Sequence, residues 1–135
     1  MTAITLTAAK IAAQLDTKTR SYIAAEALTA GQAVYMTTDG TVGVADANTG
    51  GKEQFAGIAL YAAAAAEAVT IAYHGIVDGF APAGNCGSLL YLSDTAGGLD
   101  TAVSSTMTVA VGKVVLRSDG TKTIYFDVQW LADWA

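Results

Sequence analysis

Residues 31–46 read GQAVYMTTDGTVGVAD, and residues 87–102 read GSLLYLSDTAGGLDTA. One strand–turn–strand pattern is thus written twice, about 55 residues apart, in a chain of 135 residues. Two copies are too few for a solenoid, which needs at least about three to bury a continuous core. The repeat therefore predicts two related β-units that share one core. Chance likeness between Gly- and Val-rich strands is the competing explanation.

The match continues beyond the quoted stretches. Gly31 aligns with Gly87 and Tyr35 with Tyr91. FAGIAL, carrying Gly57, aligns with VAVGKVVL, carrying Gly112, and VTIAY at 69–73 aligns with IYFDV at 124–128. Each unit opens with a short strand that runs into a turn. In the first, Asp39–Gly40 is a hairpin signal, because Gly accepts the positive φ that such turns require. In the second, Thr95–Gly98 takes the same role. A short return strand follows, Val42–Ala45 or the stretch around Leu99, then a polar loop and two longer strands. The fold class expected is all-β: a compact β-barrel or β-sandwich built from two hairpin-rich units, with an extended N-terminal arm. The arm is residues 1–20. The β domain is 21–135, with the repeat over about 31–77 and 87–131.

Three segments test that reading. LYAAAAAEAV at 60–69 favours helix by local propensity. The corresponding LRSDGTKTI at 116–124 holds a turn at Ser118–Thr121, so a shared fold makes the Ala run a hairpin connection. Val69, Ile71 and Tyr73 alternate with Thr70, Ala72 and His74, as a strand requires. At the N-terminus, Thr7 could cap a short helix reaching Leu15, or ITLT could be a strand; either way, order is expected to come mainly from contact with something else. At the other end, QWLADWA offers Trp130 and Trp134 as candidate subunit-interface anchors, since Trp is a preferred interface residue. A tail folded over its own core is the alternative.

Charge narrows the partners. Only 14% of residues are charged, and the net charge is −5, against the roughly 25% charged residues usual in globular proteins. A surface so poor in charge is rich in small residues, meets other chains, or both. Residues 1–20 carry Lys10, Lys18 and Arg20 against Asp16. Residues 21–135 carry four basic and eleven acidic residues. The acidic body excludes a phosphate-neutralising face, so no nucleic-acid partner is expected. A basic leader on an acidic body suggests an arm that docks elsewhere; a solvated terminus is the plain alternative. Cys86 is the single cysteine, so no intrachain disulfide can form. No signal-peptide pattern or strong membrane span is found; GIALYAAAAAEAVTIAYHG is interrupted by Glu67. A soluble protein made in a reducing cytoplasm is expected, with no membrane partner.

Chemistry is sparse. His74 is the only histidine, which excludes sites that need two. HExxH, paired CxxC, GxSxG and GxxxxGK[ST] are all missing from the sequence. Cys86 and His74, with Asp78 or Asn85 as orienter, are the one nucleophile–base pairing the chain offers. DANTGG at 46–51 opens like a calcium loop, but the acid needed twelve positions in is Gly57. No enzyme activity, cofactor or metal is expected.

YIAAEALTAGQAVYMTTDGTVGVAD, FAGIAL, AVTIAYHGIV and GSLLYLSDTAGGLDTA, in that order, resemble the capsid cement (decoration) proteins of tailed bacteriophages. The resemblance covers roughly Tyr22–Trp130. It implies a β-rich protein on the outer surface of the virion head. Its partners would be the major capsid protein and further copies of itself, commonly as a homotrimer. An N-terminal arm would lie on the shell, with Ile4, Leu6, Ile11 and Leu15 as its contacts. The long Ala run departs from the family pattern. The main alternative is a phage fibre or adhesin base, which would cluster aromatics such as Tyr61 and Tyr73 on one outer face. The arm reading predicts that deleting residues 1–20 leaves a folded body that no longer coats heads.

Overall fold

In the computed structural model, residues 4–14, 17–52, 54–82, 85–102, 104, 106 and 108–127 are described. Among them the chain is all-β, without an α-helix. The first unit holds β4 (Ala33–Met36), β5 (Val42–Val44), β6 (Phe55–Ala59) and the first half of β7 (Ala68–Asp78). The second holds β9 (Leu89–Leu92), β10 (Leu99–Asp100), β11 (Ala110–Leu116) and β12 (Lys122–Asp127). Ahead of them lie β1 (Thr5–Leu6), β2 (Ala12–Ala13) and β3 (Lys18–Ile23), and between them β8 (Phe80–Ala81). The main sheet runs β10-β9-β11-β12-β7-β6-β4-β5. It curls strongly into a half-barrel.

The two units share one pattern of strand pairing. In both units the first strand pairs with the second and third, and the fourth pairs with the third. Even the irregularity recurs. Val34 faces Gly57 and Tyr35 faces Phe55, which leaves Ala56 as an extra, bulged residue. Leu90 faces Gly112 and Tyr91 faces Ala110, which leaves Val111 as the bulge. A bulge sharpens the local twist and so helps the sheet curl. The glycine beside each bulge lets the neighbouring strand approach closely. A Cβ on Gly57 would run into the Ala72 carbonyl oxygen, and one on Gly112 into that of Tyr125.

One alignment read from sequence needs correcting. Ala59 pairs with Ile71 and Val114 with Ile124. Ile71, rather than Val69, is therefore the counterpart of Ile124. The first unit's last connection is two residues longer, and an even shift preserves which face each side chain takes, so the error is invisible to hydrophobic alternation.

The Ala run is a hairpin connection, as the second copy implied. Ala63 exchanges two backbone hydrogen bonds with Leu28, at 2.8 and 3.1 Å. The Ala66 N–H donates to the Ala24 carbonyl at 2.8 Å, with Ala66 at φ +72°. These partners override a helix propensity worth only tenths of a kcal/mol per residue. The Asp39–Gly40 turn also forms. Gly40 sits at φ +85°, its N–H donates to the Thr37 carbonyl at 3.0 Å, and the Thr37 N–H donates to that of Thr41 at 2.8 Å.

Strand β7 joins the units. One edge pairs with β6 at residues 71–72 and with β12 at 74–77. The other edge carries β2 and β3. Two cores result. The inner one lies between the units, where Ala33, Ala45, Ile58 and Ala72 of the first meet Leu90, Leu92, Val111, Val114, Ile124 and Phe126 of the second. Small residues on one side accept large ones from the other. Phe126 reaches across to Phe55, with ring centroids 6.4 Å apart, and meets Phe80 at 5.5 Å. The turn after β9 seals the seam: the Ala33 N–H donates to the Gly97 carbonyl at 3.0 Å, and the Gly97 N–H to that of Ala45 at 2.7 Å. The outer core covers the first unit's other face, where Val34, Val42, Ala56, Ala59, Val69 and Ile71 pack beneath Ala24, Leu28 and Ala63.

Residues 4–14 lie on the body. β1 pairs with β8, and the Ile4 N–H donates to the Leu99 carbonyl at 2.9 Å, so this strand bridges β8 and the end of β10. Between β1 and β2 a 3-10 turn spans Ala8–Lys10, without a side-chain cap from Thr7.

Candidate interaction surface

The N-terminal segment was the sequence's first candidate for contact, and its side chains divide by direction. Ile4 is buried, and Leu6 and Ile11 pack against the inner core. These three apolar residues face the chain's own body. Leu15 lies outside the described residues, as do Trp130 and Trp134. What the segment presents outward is β3. Five of its six residues are exposed, all but Tyr22. Ile23 is 47% exposed. The strand is held along one edge by β7, from Lys18 opposite His74 to Ile23 opposite Ala68. Among the described residues, no strand pairs with its other edge.

Sheet alternation sorts the β3 side chains. Arg20 pairs with Ile71 and extends toward Tyr73, its guanidinium carbon 5.6 Å from the ring centroid. A cation over an aromatic face gains about 0.5–1 kcal/mol at an exposed site. Tyr22 turns inward against the outer core. Ser21 and Ile23 occupy the opposite face. Lys18 and Arg20 thus mark a basic, open strand edge on an otherwise acidic body. Lysine and arginine on an edge deter indiscriminate strand addition and favour an acidic partner.

A second surface is the face of the second unit that turns away from the inner core. Leu90, Val114, Ile124 and Phe126 point inward, so alternation turns Leu89, Lys113 and Tyr125 outward. Leu89 is 50% exposed. At its margin the His74 Nδ1 lies 3.1 Å from an Asp127 carboxylate oxygen, and the His74 Nε2 lies 2.8 Å from the Tyr125 hydroxyl. The hydroxyl donates to Nε2 when the Asp127 carboxylate accepts the proton on Nδ1.

Other sequence candidates take structural places. Cys86 is exposed just ahead of β9, while both ring nitrogens of His74 are engaged by Asp127 and Tyr125. The Asp46 carboxylate accepts from the Asn48 N–H at 2.8 Å and the Thr49 hydroxyl at 3.1 Å, capping its own loop. Tyr61 bonds Thr70 at 3.0 Å. Thr70 and Tyr73 lie on opposite faces of β7 by alternation, so Tyr61 and Tyr73 do not gather on one face. A cleft of about 460 Å³ is lined by Tyr35, Met36, Thr37, Lys52 and Gln54 among others. No group of three or more His, Cys, Asp or Glu side chains converges among the described residues. No helix among them is long and apolar enough to cross a membrane.

Sequence reasoning located the basic N-terminal stretch but chose its apolar residues as the contacts. The signal for the exposed strip was available in TKTRSYI, where Thr17–Ser21 are five consecutive polar or charged residues. Comparison with protein families and with curated proteins finds no match for this chain.

Proposed function

We propose that this chain is a capsid decoration protein, binding the outer surface of a tailed-phage shell built from the major capsid protein and stabilising it. The observation that carries the reading is the basic, almost fully exposed edge strand β3 on an acidic all-β body. The resemblance of the repeat motifs to cement proteins supports it. An open edge recruits a partner strand through backbone hydrogen bonds, and flanking side chains set the choice of partner. Lys18 and Arg20 would select an acidic, extended segment of the shell.

In this reading the protein performs no chemical step and needs no cofactor. It works by mass action, since a ligand that binds only the assembled state stabilises that state. The gain is roughly 3–4 kcal/mol per site at 100–1,000 times Kd. Association as a homotrimer would place three such edges on one capsomer junction and raise avidity well above that of one.

The test is cosedimentation of the full chain with DNA-free heads assembled from the major capsid protein encoded with it. Binding is expected, weakening as salt is raised. Deleting residues 1–20 is the wrong probe, because it removes Ile4 from the core and uncovers an edge of β7. The double variant Lys18→Glu, Arg20→Glu keeps the strand and reverses its charge. It should bind at least about tenfold more weakly. Wild-type chain that fails to bind heads, or a charge-reversed variant that binds as well, would overturn the reading.

A further inference from the structure

Backbone alternation shows what the free edge of β3 offers. Arg20 and Tyr22 stand opposite Ile71 and Val69, and the Ala24 N–H, one residue beyond the strand, donates to the Glu67 carbonyl at 2.8 Å. Alternate residues of an antiparallel strand turn their N–H and C=O groups to the same side. Ala24, Tyr22 and Arg20 therefore turn theirs toward β7, and Thr19, Ser21 and Ile23 turn theirs outward. Among the described residues, none of those outward groups is taken up in a backbone bond. The side chains divide the strand a second way. Lys18, Arg20 and Tyr22 lie on one face, and Thr19, Ser21 and Ile23 on the other. The first face carries two cations, neither of which meets a carboxylate among the described residues. The second face carries no charge and ends in the apolar Ile23.

We propose that β3 takes, as its added strand, an extended segment in which carboxylates alternate with uncharged β-branched residues. The inference rests on the reading of β3 as the docking edge and specifies what that edge selects. Backbone bonds to Thr19, Ser21 and Ile23 hold any extended chain; the side chains on the two faces choose among chains. Side chains two residues apart on a strand lie about 7 Å apart on one face. Acids at every second position therefore meet Lys18 and Arg20 together. The intervening positions fall beside Thr19, Ser21 and Ile23, where a charge would find no counterion and a β-branched side chain packs. A second copy of β3 fits poorly, because it brings more lysine and arginine to an edge that already holds two cations.

The probe is the peptide Gly-Glu-Val-Glu-Val-Glu-Val-Gly, titrated into the isotope-labelled full chain and followed by NMR and amide exchange. In the free chain the Thr19, Ser21 and Ile23 amides should exchange quickly, while those of Arg20 and Tyr22 are protected by β7. The peptide should shift and protect the first three. It should bind at least about tenfold more tightly than Gly-Val-Val-Val-Glu-Glu-Glu-Gly, which has the same composition without the alternation. The double variant Lys18→Glu, Arg20→Glu, at exposed positions, should instead prefer Gly-Lys-Val-Lys-Val-Lys-Val-Gly. Equal binding of the scrambled peptide, or no binding of the alternating one, overturns the proposal even if the chain binds heads. Thr19, Ser21 and Ile23 amides already protected in the free chain overturn it too: at every concentration the chain itself fills the edge, and only with rising mass a second copy does. A chain that binds the alternating peptide but not heads supports this proposal and refutes the decoration reading alone.

Discussion

The two units share pairing, bulge and turn placement but differ in what their equivalent side chains meet. Register makes Ala33, Ile58 and Ala72 the counterparts of Leu89, Lys113 and Tyr125. The first set is fully buried against the second unit, and the second set looks outward. Conversely, Val34, Ala59 and Ile71 correspond to Leu90, Val114 and Ile124. The first three pack under Ala24 and Leu28, and the second three form the inner core. The duplicated backbone is therefore one framework used in two environments. The first unit is buried on both faces. The second has one face on which Leu89 and Lys113 are exposed.

The largest expected effect tests whether the framework is shared. Gly57→Ala and Gly112→Ala each drive a methyl group into a backbone carbonyl of the next strand. Neither carbonyl can retreat without disturbing a pairing the sheet needs. Each substitution should destabilise by about 3–5 kcal/mol, measured by urea unfolding. Similar losses in the two variants would confirm equivalent roles. Tolerance at Gly112 with collapse at Gly57 would show that the second bulge is adjustable and the units mechanically distinct.

A middle-sized effect separates the two outer faces. Leu28 is 2% exposed within the cover of the first unit. Leu28→Ala should cost about 2–5 kcal/mol, through lost burial and the cavity left behind. Leu89 is half exposed in the corresponding outward layer of the second unit. Its replacement by Ala should cost much less, within about 1 kcal/mol. Thermal and urea unfolding of both variants give the contrast directly. Equal losses would mean that the second outer face is as closely packed as the first.

Much of this arrangement could be read from sequence, and the limits have physical causes. Alternation and the Asp39–Gly40 turn were local signals and led to the right elements. The Ala run was settled by its partner copy, because the bonds that decide it come from Ala24 and Leu28, some forty residues away. The two-residue offset between Ile71 and Ile124 was hidden by the strand period itself. Which apolar face is buried could not be read, since Val34 and Leu90 are equally apolar and burial depends on what lands above them. For the same reason Ile4, Leu6 and Ile11 looked like arm contacts. An apolar strip made for a partner and one made for the chain's own core have the same sequence pattern.

The smallest effect concerns two turns of the same form. Residues 37–41 and 117–121 each place Gly in the left-handed region after Asp, with matching backbone bonds. Their side chains differ. The first turn is tied by the Thr37 and Thr41 hydroxyls, 2.7 Å apart. In the second, the Asp119 carboxylate accepts from the Thr121 hydroxyl at 2.6 Å and from its N–H at 3.0 Å. Those bonds, the hydroxyl's first, hold Asp119 below the ordinary aspartate value of 3.8. A carboxyl depressed in the folded state favours folding at pH above its unfolded value. That contribution is lost as pH falls through the folded value. Because Asp119 is fully exposed, the effect is small. Asp119→Asn should lower stability slightly at neutral pH, and the difference from wild type should shrink as pH falls below 3.8. The Asp119 side-chain carboxyl resonance, followed by NMR through an acid titration, checks the direction. A midpoint at or above 3.8 would mean that the Thr121 bonds do not hold in solution, and the second turn would then lack the acid-sensitive tie that sets it apart from the first.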